Sequence, residues 1–395
     1  MQSQDPTNHG GMPSPPKVKA ITSSQIITAD SVQAEEVPTI PLGSLQTLSA
    51  LQPEVSIHSV ASTRSVTMPA PLVVQPSEYR RSVSEWLSVW WDGIRPAYLP
   101  LAIMPVVVGS VLAWTQSIAA KSLLGHFHVL RFLATLIAVI LLQIGAHLVN
   151  DYYDYLKGID TSNSLGPGGL IQQGLIKPAR VLSLGLILLG FGALVGVLVA
   201  ASGGLLVFVF GLIGLLCAYF YSATSRALSS MALGELVSFL IFGPFITLGA
   251  YMVQTGHVDR IVLLYSIPLG LLATAVIHLN NMRDTESDLQ ARKHTLASLW
   301  GLGMNRAFYV ILLLGVYATI IALGIPHHAP HLVLLTLWAL PTATIAVTGV
   351  LRTDAPAGLH LAMYQTLKVE MYFTLWLVVA LFVSVLWPLL PHLPL

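Results

Sequence analysis

Long apolar windows recur through most of the chain after residue 95, separated by short polar segments. Each window holds about twenty mainly apolar residues, enough at 1.5 Å per helical residue to cross a hydrocarbon core of about 30 Å. The predicted spans are 96–115, 130–149, 180–201, 204–222, 234–254, 261–281, 305–325, 332–350 and 369–390. The pattern therefore predicts an all-α integral membrane protein with nine transmembrane helices.

The residues before the first span have a different character. Residues 1–82 are rich in Ser, Thr, Pro and Gln and show no sustained helical period, which predicts a disordered N-terminal tail. The nine-helix domain then covers 83–395. At its start, SVSEWLSVWW places Trp86, Trp90 and Trp91 near one face of a short helix, a pattern typical of an interfacial helix that leads into a membrane span.

Composition narrows the class of protein further. Hydrophobic residues make up 54% of the chain and charged residues 9%, against roughly 25% charged in soluble domains, which excludes an ordinary soluble fold. The formal net charge of +1 gives no indication of a nucleic-acid partner. Because Cys217 is the single cysteine, internal disulfides and zinc sites built on cysteine pairs are also excluded.

The distribution of Lys and Arg predicts the orientation. With nine spans the two termini lie on opposite sides, and the side of the tail carries Arg80, Arg81, Arg95, Lys157, Lys177, Arg180, Arg226, Arg283, Arg292, Lys293, Arg306, Arg352 and Lys368. The other side carries Lys121, Arg131 and Arg260. Cytoplasmic loops are enriched in Lys and Arg, so we expect the N-terminus to be cytoplasmic.

Acidic residues are concentrated at two places on the predicted cytoplasmic side. The segments NDYYDYLKGID (150–160) and NNMRDTESDLQARKHTLA (280–297) follow the second and sixth spans. In each, an Asn precedes an Asp by four residues, Asn150 with Asp154 and Asn280 with Asp284, which puts both on one helical face. The two clusters are 130 residues and four spans apart, which indicates a weak four-helix repeat with the acidic ends facing each other across a central cavity.

Closely spaced carboxylates near a membrane repel one another and favour a divalent cation. Asp and Asn oxygens are hard ligands that suit Mg²⁺, which substrate phosphates commonly complete. The predicted metal ligands are Asn150, Asp151, Asp154, Asp284 and Asp288, whereas Glu286 points away from Asp288. Cationic residues beside them can hold phosphate oxygens: Lys157, Lys177, Arg180, Arg283, Arg292 and Lys293. The predicted ligand is an amphiphile with a diphosphate head and an apolar tail.

These two motifs resemble those of the UbiA superfamily of intramembrane prenyltransferases, and most of all the branch that prenylates 1,4-dihydroxy-2-naphthoate in menaquinone biosynthesis. Three further segments are similar, GPGGLIQQGLI (166–176), ALGELVSFLIFGPFITLGAYMVQTG (232–256) and RPAYLP, which contains Arg95. The resemblance runs from about residue 84 to the C-terminus. Two positions depart from it: the branch carries a Gly-Gly-Pro turn where Tyr221 is followed by SATSRAL, and a Gly where this chain has Arg292.

The resemblance implies a UbiA-like fold and an Mg²⁺-dependent transfer of a polyprenyl group from a polyprenyl diphosphate to an aromatic acceptor within the lipid bilayer. With 1,4-dihydroxy-2-naphthoate as acceptor, CO₂ is lost and a demethylmenaquinone is formed. The implied catalytic residues are Asp151, Asp154, Asp284 and Asp288. The implied substrate contacts are Arg95, Asn150, Tyr153, Lys157, Asp160, Arg180, Tyr221, Asn280, Asn281, Arg283 and Lys293.

Several alternatives remain open from the sequence. The acceptor could be 4-hydroxybenzoate or homogentisate, and buried acids near helix ends also occur in membrane transporters. His147 and His278 each lie three residues before a motif Asn, where a histidine can act as a base or lie satisfied inside the bundle. Glu235, at the start of the fifth span, can contact the acceptor or cap a helix.

Overall fold

The computed structural model describes residues 82–120, 126–158, 169–224, 226–325 and 329–387. Asp160 and nearly all of the predicted tail lie outside these ranges. The helices are α1 Val83–Ile94, α2 Pro100–Ala119, α3 Val129–Lys157, α4 Pro178–Gly203, α5 Leu205–Phe220, α6 Gly234–Thr255, α7 Arg260–Arg283, α8 Thr285–Gln290, α9 Leu296–Leu299, α10 Leu302–Gly324, α11 His331–Arg352 and α12 Pro356–Leu386.

Eight of these helices are long and apolar enough to cross a membrane, and α5 is a ninth apolar helix of 16 residues, shorter than a usual span. The prediction of an all-α membrane bundle is confirmed within the described residues. The start of the last span was wrong, because α12 begins at Pro356 and not at residue 369. Its 31 residues extend about 46 Å, more than a hydrocarbon core of about 30 Å, so polar residues such as His360 are accommodated in its first turns.

Helix α1 is the predicted short helix before the first span. Ser82 caps it: its hydroxyl accepts from the Glu85 backbone N–H, and the Glu85 carboxylate accepts from the Ser82 backbone N–H. Trp86 and Trp90 pack against a small apolar cluster around Leu170, whereas Trp91 is 61% exposed on another face. The expectation that all three tryptophans share one face was therefore too broad, since only two of them hold α1 on the bundle.

Close helix packing depends on small residues. In lipid no hydrophobic effect drives helices together, so they associate through close van der Waals contact. Gly109 of α2 lies against the backbone of α6, so that an added Cβ would stand 2.2 Å from the Thr247 carbonyl oxygen. A similar approach joins α6 to α7, where an added Cβ on Gly243 would lie 2.8 Å from Gly270 Cα. Next to Gly243, Pro244 lies in a π-helical segment, Ile241–Phe245, which interrupts α6 beside the cavity.

Replacing Gly109 with alanine is expected to lower the free energy of unfolding by about 1–3 kcal/mol, because a backbone carbonyl has to move to admit the methyl group. Thermal unfolding of the detergent-solubilised protein measures the loss. Gly190→Ala is the matched control, since within the described residues the added Cβ has no neighbour within 4 Å beyond adjacent residues and the backbone of α4 itself. Equal unfolding temperatures for the two variants would contradict the close α2–α6 contact.

Candidate active site

The two acidic segments meet at one end of the bundle, here called the acidic end, which is formed by the C-terminal ends of α3 and α7. From there a cavity of about 640 Å³ extends between the helices. Along α3 its wall runs from Thr135 to Asp154, about 28 Å at 1.5 Å per residue. Its volume lies within the usual range of small-molecule sites. Asn150 and Asp154 line the cavity from α3, while Asn280 of α7 and its C-cap residue Asp284 line it from the other side, as their i, i+4 spacing predicts.

The first motif is tied to the turn that follows α5. The Asn150 amide donates to the Asp154 carboxylate, and Asn150 Oδ1 accepts a hydrogen bond of 2.6 Å from Ser222 Oγ. Lys157 Nζ donates to the Ser222 carbonyl oxygen at 2.7 Å. Ser222 occupies the position where the resembling branch has the first Gly of its turn. The serine that this chain has in place of that glycine therefore supplies a hydroxyl that orients Asn150.

The second motif is organised around Arg283. Its Nε and Nη2 donate to the two oxygens of Asp284 at 2.7 and 2.6 Å, and Nη2 also donates to Asn280 Oδ1 at 3.0 Å. On its other side, Nη1 lies 3.0 Å from His360 Nδ1 of α12. This guanidinium thus fixes both cavity-facing side chains at the end of α7.

Asp288 and Lys293 form a buried ion pair with an Nζ to Oδ1 distance of 3.0 Å. Burial raises the pKa of Asp288 to about 6, although the nearby Lys293 ammonium opposes the shift. Burial alone would lower the pKa of Lys293, but the Asp288 and Asp154 carboxylates outweigh it and the pKa is raised. Lys293 is therefore a fixed positive charge on the cavity wall.

Arg292 does not join this pair. Its side chain is exposed and lies off the cavity wall, so the expectation that it could hold phosphate does not fit its placement. Its backbone has φ 55°, in the left-handed region that favours glycine. The tight turn that brings Lys293 to Asp288, closed by the Lys293 N–H donating to the Asp288 carbonyl at 2.7 Å, requires this conformation. That geometry explains the Gly of the resembling branch.

Replacing Arg292 with glycine is expected to stabilise the protein by about 1 kcal/mol relative to Arg292→Ala, since only glycine relieves the left-handed strain. The comparison with alanine removes the effect of losing the charge. Chemical or thermal unfolding in detergent measures both variants. If alanine and glycine give equal stability, the positive φ at residue 292 is not a source of strain.

The cavity collects ten of the predicted site residues: Arg95, Asn150, Asp154, Tyr221, Asn280, Asn281, Arg283, Asp284, Asp288 and Lys293. Four others lie elsewhere. Asp151 is buried in an ion pair with Arg95, and the Tyr153 hydroxyl lies 3.4 Å from that of Tyr219. Lys157 donates a hydrogen bond to the Ser222 carbonyl oxygen in the turn after α5. Arg180 is exposed in the first turn of α4.

The placement of Asp151 does not match its predicted role as a metal ligand. It follows Asn150 directly, and successive helical residues point about 100° apart, so its carboxylate faces Arg95 instead of the cavity. Its side chain is 1% exposed. Arg95 itself caps α1 with φ 55° and reaches the cavity wall from there. Asp151 therefore positions Arg95.

His278 is satisfied inside the bundle. Its Nδ1 lies 3.1 Å from Glu235 Oε1 and its Nε2 lies 3.2 Å from the Asn305 carbonyl oxygen, so both ring nitrogens are used. The same Glu235 oxygen accepts from Asn281 Nδ2 at 3.0 Å. Glu235 thus neither lines the cavity nor caps α6, but orients Asn281, which does line it.

Several polar cavity residues were not among the predicted contacts: Tyr98, Gln143, His147, Gln172, Gln173 and Ser238. For two of them a signal existed. Gln143, His147, Asn150 and Asp154 follow one another at spacings of four, three and four residues, which is one helical face. The glutamines of the turn after Gly169 carry no such periodic signal, because a non-helical loop places them.

The donor set fits Mg²⁺. Asn150, Asp154, Asp284 and Asp288 offer hard oxygen atoms to one cavity. Among the described residues, no three acidic, histidine or cysteine side chains form a metal-binding group on their own. Mg²⁺ is usually held by one or two carboxylates and completed by water and substrate phosphates, so this wall fits an ion that is shared with a phosphate ligand.

Comparison with known proteins gives a consistent result. A model of the UbiA prenyltransferase family matches residues 102–365. The 1,4-dihydroxy-2-naphthoate octaprenyltransferase of Escherichia coli is 31% identical over 75% of this chain and 95% of its own length. The protein of the same name from Bacillus subtilis is 29% identical, over 75% of this chain and 93% of its own length.

A relative from an animal and a solved structure are also similar. The UbiA prenyltransferase domain-containing protein 1 homologue of Drosophila melanogaster is 32% identical over 74% of this chain and 79% of its own length. A UbiA homologue from Archaeoglobus fulgidus, solved bound to GPP and Mg²⁺, has a TM-score of 0.51 at 14% identity. The match covers 73% of this chain and 99% of that chain, and it supports the fold.

Proposed function

The chain belongs to the UbiA prenyltransferase family and is an integral membrane prenyltransferase, and we propose that it transfers a polyprenyl group from a polyprenyl diphosphate to 1,4-dihydroxy-2-naphthoate with the help of Mg²⁺. The observation that carries this proposal is the division of the cavity. Carboxylates and cations line its acidic end, whereas apolar side chains such as Leu142, Phe210 and Phe245 line much of the remainder. Such a cavity suits an amphiphile with an anionic head and a long apolar tail.

The acidic end has the groups that a diphosphate requires. Mg²⁺ bound through Asn150, Asp154, Asp284 and Asp288 would neutralise charge that develops on the leaving diphosphate. Arg95, Arg283 and Lys293 add fixed positive charge on the same wall. Each of these cations is already held by a carboxylate, so the diphosphate meets groups that are oriented before it binds.

The remaining steps follow from the chemistry of an allylic diphosphate. The bond between the allylic carbon and the diphosphate oxygen breaks, the electron pair leaves with the diphosphate, and a ring carbon of the acceptor bonds to the allylic cation. For a 2-naphthoate acceptor the ring carboxylate leaves as CO₂. Tyr221, which lines the cavity near Asp154, can shield the cation with its ring face.

The proposed acceptor is inferred from the names of relatives that align with this chain over nearly their full length. Two relatives named for 1,4-dihydroxy-2-naphthoate align over more than nine-tenths of their length, which supports this acceptor over 4-hydroxybenzoate or homogentisate. A membrane transporter, the alternative from another class, does not agree with membership in a family of transferases.

We further propose that the acidic end faces the cytoplasm. The Lys and Arg residues concentrate on that side of the predicted spans, and the positive-inside rule then places the N-terminal tail and the mouth of the site in the cytoplasm. Disorder of the tail over residues 1–82 stays a prediction. After replacement of Cys217 with serine, labelling of single cysteines introduced at Arg292 or at His257, with a reagent that does not cross membranes, tests the orientation.

An acceptor panel tests the proposed function. Membranes that contain the protein, supplied with Mg²⁺ and one long-chain polyprenyl diphosphate, are expected to release diphosphate and form a demethylmenaquinone with 1,4-dihydroxy-2-naphthoate. Removal of Mg²⁺ with a chelator should stop the release, and its return should restore it. Faster turnover with 4-hydroxybenzoate or homogentisate would change the acceptor, and no turnover with any aromatic acceptor would overturn the proposal.

A further inference from the structure

Two further polar side chains, Gln143 and His147, lie on the α3 wall of the cavity, deeper than the carboxylates. Gln143 and His147 stand one helical turn apart, about 6 Å along the axis, and His147 is about 4.5 Å of helix rise below Asn150. Neither side chain is used by the diphosphate chemistry described above. Both line the cavity on the face that carries Asn150 and Asp154.

The direction of the Gln143 amide is fixed by its partner. Its Nε2 donates to the Tyr98 carbonyl oxygen at 2.7 Å, and a carbonyl oxygen can only accept. The amide oxygen Oε1 is therefore the atom left over, and it has no hydrogen-bond partner among the described residues. The residue is 6% exposed, so this oxygen is a buried acceptor that requires a donor.

The position of the ring proton on His147 follows from its hydrogen-bond partner in the same way. Its Nδ1 lies 3.4 Å from the Ile94 carbonyl oxygen, which places the ring proton on Nδ1. In the neutral imidazole the other nitrogen, Nε2, then carries a lone pair, and no residue in the described ranges forms a hydrogen bond with it. The Tyr98 ring meets the imidazole edge to face at 6.0 Å, which holds the plane of the ring. His278, by contrast, uses both nitrogens within the protein.

We propose that Gln143 Oε1 and His147 Nε2 form the binding site for hydroxyl groups of the aromatic acceptor. The inference rests on the proposed function and adds the residues that recognise the acceptor. Two lone-pair acceptors on one wall repel an oxyanion, so these two atoms contact neither the diphosphate nor the ring carboxylate of a naphthoate acceptor. They match a phenol or a hydroquinone, whose hydroxyl hydrogens are the donors that both atoms lack.

The position of the site agrees with this role. The site lies on the same helical face as Asn150 and Asp154, one to two turns deeper than Asn150 and two to three turns deeper than Asp154, so a ring bound there stands beside the reacting end of a donor held at the acidic end. Hydrogen bonds to buried polar groups discriminate strongly, because a ligand without hydroxyl hydrogens leaves the buried acceptors unpaired.

Two substitutions at His147 separate recognition from structure. His147→Asn keeps a donor near the Ile94 carbonyl oxygen but removes the distal acceptor, whereas His147→Gln places an amide oxygen near the position of Nε2. The Asn variant is expected to raise KM for 1,4-dihydroxy-2-naphthoate about tenfold, with KM for the polyprenyl diphosphate unchanged, as the loss of one hydrogen bond predicts. The Gln variant is expected to restore most of that affinity. His257→Asn, outside the cavity, is the control for expression and folding.

A binding measurement makes the test independent of turnover. Titration calorimetry on the solubilised protein compares 1,4-dihydroxy-2-naphthoate with 1,4-dimethoxy-2-naphthoate, which lacks hydroxyl hydrogens. Wild type is expected to prefer the dihydroxy ligand at least tenfold, and both Gln143→Met and His147→Asn are expected to reduce this preference. Equal affinity of wild type for the two ligands would overturn the proposal, as would an unchanged preference in both variants or an equal rise in both KM values. Lack of turnover by wild type would instead contradict the proposed function.

Discussion

Replacing Asp284 or Asp154 with alanine is expected to lower the rate of prenyl transfer by at least about 10²-fold, the usual effect of losing one group that stabilises charge in a transition state. Both carboxylates line the cavity at the acidic end. Removing Asp284 has a second effect, because Arg283 loses the partner that both Nε and Nη2 contact. Without Asp284, the Arg283 guanidinium is expected to bind the diphosphate and hold it in an altered orientation. Diphosphate release in membranes with equal amounts of protein measures the rate.

Glu286→Ala is the matched control for these two variants. Glu286 belongs to the same motif but is exposed and lies off the cavity wall, so its removal is expected to change the rate less than twofold, within about 0.5 kcal/mol. Near wild-type turnover in both Asp154→Ala and Asp284→Ala would remove these residues from the metal and diphosphate site. A loss of rate in Glu286→Ala equal to theirs would indicate a general effect of charge at this end of the bundle.

Replacing Arg95 with methionine is expected to lower the free energy of unfolding by about 3 kcal/mol, because the Asp151 carboxylate would remain buried without its cation. The value stands at the lower end of the range for buried pairs, since the Arg95 side chain is 19% exposed. The double variant Arg95→Met with Asp151→Leu removes both charges and is expected to recover much of the stability. Unfolding in detergent, followed as a double-mutant cycle, gives the coupling between the two residues.

Activity of Asp151→Asn provides the complementary measurement. An asparagine oxygen still accepts from Arg95, so this variant is expected to keep turnover within about tenfold of wild type, while Asp154→Asn falls by at least about 10²-fold. The pair of variants distinguishes a residue that positions Arg95 from a residue that binds the metal. If Asp151→Asn were as inactive as Asp154→Asn, the original assignment of Asp151 as a ligand would be restored.

Side chains are predictable from the sequence where the helical period alone places them. Asn150 with Asp154, and Asn280 with Asp284, were expected on common faces, and both pairs line the cavity. The beginning of α12 was misplaced because His360 and Lys368 interrupt the apolar window, although a helix longer than the membrane accommodates polar residues at its end. Residues in turns, such as Ser222 and Gln172, were not found as contacts because no periodicity governs them.

Hydrophobic length and the 3.6-residue period are local properties, so the amino-acid sequence is enough to predict the membrane bundle, the two acidic helix ends and the carboxylates that share a helical face. The partner of each polar group, by contrast, depends on how the helices pack together. Asp151 and Asp154 are three residues apart in one motif, yet one meets Arg95 and the other faces the cavity. His147 and His278 each lie three residues before the Asn of their motif. Glu235 and Asn305 contact both ring nitrogens of His278, whereas neither residue, both within the described ranges, forms a hydrogen bond with His147. Such differences depend on which distant helix packs against each face, and a buried polar atom without a partner in the described part of the chain, such as Gln143 Oε1, costs free energy until a donor reaches it.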